Sequence, residues 1–169
     1  MIINEKEACE IFYKTLNTDC QKTVAHLQKM FPAEFKDVNI KNATRLHFYA
    51  AIYCATLAVV DYFDQEQSAR LRDLLIGSMA RAYDYYVCMK QIHKAHLEWD
   101  EPLYKPDPDH PYETIARYLY SKWGLPTQEI KIGKDVVNRP NLFIVYTIEG
   151  TLIASELTWK MIKNQYAIV

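Results

Sequence analysis

Residues 48–60 constrain the fold more than any other part of the chain. This run, FYAAIYCATLAVV, has no charge, no glycine and no proline, and its apolar side chains fall on every face of a helix. A helix that is hydrophobic all round must be covered all round, and this run is shorter than the roughly 20 apolar residues that cross a bilayer. We therefore predict a buried central helix over residues 42–64, with Asn42 or Thr44 as its N-cap. Within it, an aspartate in place of Leu57 should abolish folding.

Length and charge narrow the class of protein. A chain of 169 residues fits one domain, since domains commonly have roughly 100 to 200 residues. The 20 Lys and Arg residues are balanced by 21 Asp and Glu residues, so nucleic acid is not expected as a partner. The first ten residues, MIINEKEACE, lack the basic and apolar segments of a signal peptide. We therefore expect a single domain over residues 1–169, located in the cytoplasm and not in a membrane.

The N-terminal part of the chain carries a clear helix start. Asn4 and Glu7 have the spacing of a capping box, and an apolar face follows at steps of three and four residues up to residue 31. Thr18 and Gln21 have the same spacing and offer a second start. The pattern therefore fits either one long helix or two short ones.

Residues 65–99 form the longest amphipathic stretch. As one unbroken helix they would be about 50 Å long, so we expect a bend or a projecting end, with Gly77 as the weakest point. The apolar stripe through Leu75, Met79 and Tyr86 could continue into a two-fold interface. We therefore expect a homodimer that uses this stripe.

The chain then changes character. Residues 98–113 hold four prolines and six acids, which predicts an acidic loop, and a helix over residues 112–123 follows, stopped by Gly124. Residues 129–148 are open between a small β element and helix, and a last helix should cover residues 151–165. The pattern as a whole predicts a mainly α, single-domain bundle of about five helices.

His93 and His96 are the one weak indication of chemistry. No phosphate-binding loop, zinc-protease or nucleophile-elbow motif is present, but two histidines at i and i+3 share one helical face and could hold a divalent metal. The possible oxygen ligands are the acids of the loop or of a packed helix, namely Asp61, Glu98, Asp100 and Glu101.

A structural role for the same histidines is favoured over a metal site. In that role His93 and His96 contact the acidic loop, and a neighbouring carboxylate raises the pKa of an imidazole. A bound metal has the opposite effect, because ligating imidazoles must be neutral. A divalent metal therefore stays open as a cofactor without being the preferred interpretation.

The preferred function is non-enzymatic protein interaction. A chain with a strong core and no recognisable catalytic set suits a regulator, an inhibitor, or an immunity-type or chaperone-type partner of another protein. The expected binding surface is the aromatic and acidic end of the bundle, comprising Tyr86, Trp99, Tyr104, Tyr112 and Tyr120. The alternative is a metal-dependent enzyme or a small-ligand-binding bundle centred on His93 and His96.

Overall fold

The computed structural model describes residues 1–79, 84–98 and 109–169. This part of the chain is a mainly α bundle, which confirms the predicted fold class. Its helices are α1 (Glu5–Met30), α2 (Ile40–Ala58), α3 (Gln65–Met79), α4 (Tyr85–Leu97), α5 (Glu113–Lys122) and α6 (Leu142–Gln165). Its strands are β1 (Ile2–Ile3), β2 (Gln128–Ile132), β3 (Asp135–Arg139) and β4 (Ala167–Ile168).

Helix α2 contains residues 48–58 of the uncharged run, whose last two residues lie in the following 3-10 turn, and it packs against α1, α4, α5 and α6. Its N-cap is Asn39, whose side chain accepts the Asn42 N–H at 3.0 Å, and not Asn42 or Thr44 as expected. An 18-residue window within Ile40–Asp61 is apolar enough to cross a membrane, but 67% of it is buried inside the protein. Such burial is typical of the core helix of a soluble protein.

The end of α2 is less covered than its composition suggested. Leu57 is 40% exposed and Val60, in the 3-10 turn that extends the helix, is exposed as well. The premise of the Leu57→Asp expectation, a side chain covered on all sides, is therefore wrong, and an aspartate at this position would reach water.

Helix α1 is a single helix. The capping box of Asn4 and Glu7 is formed, with both hydrogen bonds at 2.9 Å. The second start signal is not used, because the Thr18 hydroxyl donates to the Lys14 carbonyl of the preceding turn. Helix α1 lies along α6, where Phe12 stacks on Trp159 with 4.4 Å between ring centroids.

The stretch predicted as one long helix is divided into α3 and α4, and Gly77 lies inside α3, two residues before its end. Helix α3 packs on α1, whereas α4 packs on α2 and α5. Leu75 is fully buried and Tyr86 is exposed. The stripe through Leu75, Met79 and Tyr86 is therefore not one continuous exposed face.

The C-terminal third settles the open choice between strand and helix. Strands β2 and β3 form an antiparallel hairpin, and α6 begins at Leu142, capped by Asn141. Between them and α5, Gly124 adopts a positive φ of 73° and donates to the Ser121 carbonyl, while Leu125 donates to that of Tyr120. This is the predicted Schellman ending of α5.

Candidate functional site

A tyrosine of the central helix lies between the two histidines singled out in the sequence. The Tyr53 hydroxyl is 3.0 Å from His93 Nδ1 and 3.1 Å from His96 Nδ1. Both imidazoles come from one face of α4, and their rings meet the Tyr53 ring edge-on. We call these three residues the histidine–tyrosine cluster.

The numbers of donors and acceptors on the three groups restrict which ring nitrogens of the two histidines can carry a hydrogen. A phenol oxygen donates once and accepts up to twice, and a neutral imidazole carries one N–H. Each group finds a partner within the cluster when one imidazole donates its Nδ1–H to Tyr53 and Tyr53 donates to Nδ1 of the other. The two rings then differ in tautomer, so one Nε2 is a donor and the other an acceptor. The cluster can thus present both hydrogen-bonding characters to one ligand.

Burial favours the neutral forms of two cluster members, His96 and Tyr53. It lowers the pKa of His96, and the neighbouring His93 lowers it further. It also raises the pKa of Tyr53, with a smaller contribution from Cys54. The described surroundings thus shift the pKa of His96 in the direction opposite to that expected from a carboxylate of the acidic loop.

A second polar layer adjoins His96 at the start of α5. The Tyr112 ring lies 5.8 Å from that of His96, and its hydroxyl donates to the Glu156 carboxylate of α6. Glu149, only 1% exposed, accepts the Tyr112 N–H at 3.1 Å and meets His110 Nδ1 at 2.8 Å. Burial, followed by Cys54 and Glu156, raises the pKa of Tyr112. Acids of α6 therefore hold the start of α5 beside the cluster.

The predicted oxygen ligands do not join the histidines in a metal site within the described ranges. Asp61 is exposed in the 3-10 turn after α2, and Glu98 is exposed and pairs with Lys94 at 3.9 Å. Asp100 and Glu101 lie outside the described residues. Residues 1–79, 84–98 and 109–169 contain no group of three His, Cys, Asp or Glu side chains placed to hold a metal ion.

The described members of the predicted aromatic surface do not form one exposed surface. Tyr86 is exposed on α4, whereas Tyr112 and Tyr120 are buried and belong to the core. The Tyr120 hydroxyl donates to the Pro126 carbonyl at 2.5 Å and accepts the Asn141 N–H at 3.1 Å, which ties α5 to both ends of the hairpin segment. The other two members, Trp99 and Tyr104, fall outside the described ranges.

A different apolar surface lies on the outward side of α6. Phe143 and Leu157 are each 53% exposed, and Tyr146 and Met161 are exposed beside them. We define the α6 outer face by Phe143, Tyr146, Thr147, Gly150, Ile153, Ala154, Leu157 and Met161. These residues are uncharged, Tyr146 also stacks on His110 with 4.6 Å between ring centroids, and the exposed Lys160 lies at the edge of the face.

The middle of this face is a depression. Gly150 and Ala154, with Thr147 and Thr151, line the α6 side of a groove of about 300 Å³ between α1 and α6. Its α1 side is lined by Asp19, Lys22 and Thr23. The large side chains Phe143 and Leu157 flank it along the helix. A Cβ atom placed on Gly150 would meet nothing within 4 Å, so no contact within the chain requires a glycine there.

Comparison with known proteins adds no relative: no family model, curated protein or solved structure matches the chain.

Sequence reasoning found His93 and His96 but missed their partners. Tyr53 lies in the uncharged run and therefore resembled a core residue. Glu149 and Glu156 had a usable signal, because they are the only charged residues between positions 142 and 159 and lie seven residues apart, on one side of a helix.

Proposed function

We propose that the protein acts by binding a protein partner, as a regulator, inhibitor, or immunity-type or chaperone-type protein does, and that the α6 outer face is its principal interface. The observation that carries the proposal is the exposure of an uncharged face on a helix that is otherwise part of the core. Phe143 and Leu157, which flank the groove on its two sides along the helix, are both half exposed.

The distribution of charge on α6 supports this proposal. A helix at a protein surface usually turns its apolar side inward and its charged side to water. In α6 the charged Glu149 and Glu156 contact His110 and Tyr112, while Phe143 and Leu157 lie outward. A contiguous exposed apolar surface on a folded protein commonly marks an interaction site.

The neighbouring end of α1 extends the same surface. Phe31 contacts Phe143 with 5.6 Å between ring centroids, and Met30 beside it is exposed. The apolar surface therefore continues from α6 onto the C-terminal turn of α1, which gives a partner a wider contact than one helix.

Site-specific photo-crosslinking tests this proposal. A photoreactive phenylalanine analogue in place of Leu157 should form covalent protein adducts in the producing cell, and the same substitution at Val136 should not. Val136, on β3, is the matched control, since it is also aliphatic and 55% exposed. The adduct should be reduced when Phe143→Glu is added, and the crosslinked protein should bind again when purified. Equal crosslinking at both positions, or none at Leu157, would contradict the proposal.

A second candidate function, small-ligand or divalent-metal binding, is favoured by the convergence of His93 and His96 on the Tyr53 hydroxyl. Metal-binding histidines are commonly oriented by a hydrogen bond at the ring nitrogen that does not bind the metal. A hydrogen bond at Nδ1 leaves Nε2 as the atom of each ring that can meet a ligand.

NMR of the imidazole resonances tests this second function. Zinc added to the purified protein should shift His93 and His96 together, reversibly with a chelator, and Tyr53→Phe should weaken the effect. The exposed His26 on α1 provides an internal control, because a lone surface histidine should respond only at higher zinc concentration. Equal responses of all three histidines would leave this second function without support.

A further inference from the structure

We infer that the α6 outer face binds a second copy of this chain, with the two α6 helices packed antiparallel about a two-fold axis near Gly150 and Ala154. This inference rests on the proposed function, since it names the occupant of the same interface. It differs from the sequence expectation of a homodimer in the surface used, because Leu75, the first residue of that stripe, is fully buried.

The order of side-chain sizes along the face indicates a self-complementary contact. In an isologous two-fold interface each residue i that contacts residue j is matched by j contacting i. Around a centre at position 152, antiparallel α6 helices pair Gly150 with the partner copy's Ala154, Thr147 with its Leu157, and Phe143 with its Met161. The two small residues then meet at the crossing, the smaller Thr147 faces the large Leu157 beside it, and large residues meet at both ends.

Gly150 is the second element of the argument. A glycine inside a helix costs about 1 kcal/mol relative to alanine, and no contact within the chain needs the space that it leaves. Small residues at a helix crossing let two backbones approach closely. A second α6 helix crossing at Gly150 and Ala154 gives that space a use.

The size of the face sets the expected strength. From position 143 to position 161 the helix rises about 27 Å, and one such face covers less than the roughly 800 Å² per partner of a standard interface. We therefore expect a reversible dimer that dissociates at low concentration.

Sedimentation velocity over a wide concentration range tests for the dimer. The unmodified protein should pass from monomer to dimer, and Leu157→Glu and Gly150→Leu should each weaken association by about tenfold or more, as loss of a central contact commonly does. Val136→Glu should leave it unchanged. Thermal unfolding of the monomers should be similar for all variants, and Leu157→Glu carries the test if Gly150→Leu folds poorly. A protein that stays monomeric, or variants that dimerise like the original, would overturn the inference.

Crosslinking of paired cysteines tests the direction of packing. In a Cys88→Ser background, where Cys9, Cys20 and Cys54 are buried, proteins with Phe143→Cys and with Met161→Cys should crosslink to each other when mixed. Each alone should not crosslink to itself, since its two copies would lie far apart. Self-crosslinking at either position with none in the mixture would show parallel packing and overturn the antiparallel arrangement.

The two proposals can fail separately. A monomeric pure protein whose Leu157 position crosslinks to a different protein in the cell would reject the second copy and retain the interface. A monomeric protein without any adduct at Leu157 would reject both.

Discussion

Helices α2 and α6 are both rich in apolar residues, and the fold uses them differently. In α2 the apolar side chains are mostly turned into the bundle, and the Tyr53 phenol meets the histidines of α4. In α6 the acids Glu149 and Glu156 reach the start of α5, while Phe143 and Leu157 lie outside. Similar composition thus supports a central core helix in one case and a helix with exposed apolar side chains in the other.

The largest loss of stability is expected from substitutions on the buried sides of these two helices. Ile52 of α2 and Ile148 of α6 are fully buried, so Ile52→Asp and Ile148→Asp place an unpaired charge in the core. Each should cost on the order of 5 kcal/mol or more, comparable to the whole stability of a domain. Circular dichroism of the purified variants should show unfolded protein. A cooperative thermal transition in either variant would show that the buried side of the substituted helix is not essential for folding.

A pH-dependent effect is expected on the inner side of α2. Burial lowers the pKa of the fully enclosed His47 to about 4, and the backbone of Ile148 offsets only part of this. The folded state therefore binds fewer protons than the unfolded state between pH 6.5 and about 4. The contribution of neutral His47 to the free energy of unfolding is fully present above the pKa that this histidine has in the unfolded chain. The free energy of unfolding then falls by about 3 kcal/mol as pH decreases towards 4.

Denaturant unfolding at several pH values measures this contribution. His47→Met should flatten the decrease between near-neutral and acidic pH, because it removes the titrating group and keeps most of the volume. The exposed His26 gives the matched control, and His26→Gln should leave the pH profile unchanged. Parallel profiles for His47→Met and the original protein would remove His47 as the cause.

The inward acids of α6 should be needed for stability. Glu149→Gln exchanges a buried carboxylate for an amide that cannot accept the same pair of hydrogen bonds from His110 and Tyr112. The expected loss is about 2 kcal/mol, typical of a hydrogen bond to a charged group, and thermal unfolding would measure it. Glu156→Gln, at a half-buried position, should cost less. A larger loss of stability in Glu156→Gln than in Glu149→Gln would show that Glu156, and not Glu149, is the more important acid of α6.

The outer face of α6 should tolerate change. Gly150→Ala should raise the stability of the monomer by about 1 kcal/mol, because alanine favours helix and its Cβ enters open space. Chemical denaturation at a concentration where the protein is monomeric checks this. Lower stability would reveal a contact on this face within the monomer.

The smallest change in stability is expected at Leu57, where α2, like α6, exposes an apolar side chain. Leu57→Asp should change stability by less than about 1 kcal/mol, since the aspartate is solvated at a 40% exposed position. Its melting curve can be compared with that of Ile52→Asp. A similar loss of stability in both variants would support an α2 that is covered on all sides, as the sequence indicates.

The sequence predicted those elements whose signals are local. Capping by Asn4 and the stop at Gly124 were readable from neighbouring residues, whereas the sequence leaves the segment that forms the hairpin before α6 open between strand and helix. The division between α3 and α4 was not readable, because the apolar stripe continues through it and the two helices differ only in what they pack against. The histidine–tyrosine cluster could be predicted only in part. His93 and His96 share a helical face, which their spacing shows, whereas Tyr53 lies 40 residues away from the nearer of them and no local signal connects it to them.

The stack of Trp159 on Phe12 also has an experimental use. The indole is fully buried, touches Phe63 edge-on, and donates its N–H to the Ala55 carbonyl at 3.2 Å. Its fluorescence therefore depends on α1, α2 and α6 at once. Trp123, beside Phe35 and His47, reports instead on the end of α5. The chain also contains Trp99, so replacement of Trp123 or Trp159 by phenylalanine in a Trp99→Phe background would separate the two optical signals. Their order of change during refolding would show whether the three-helix centre forms before α5 docks.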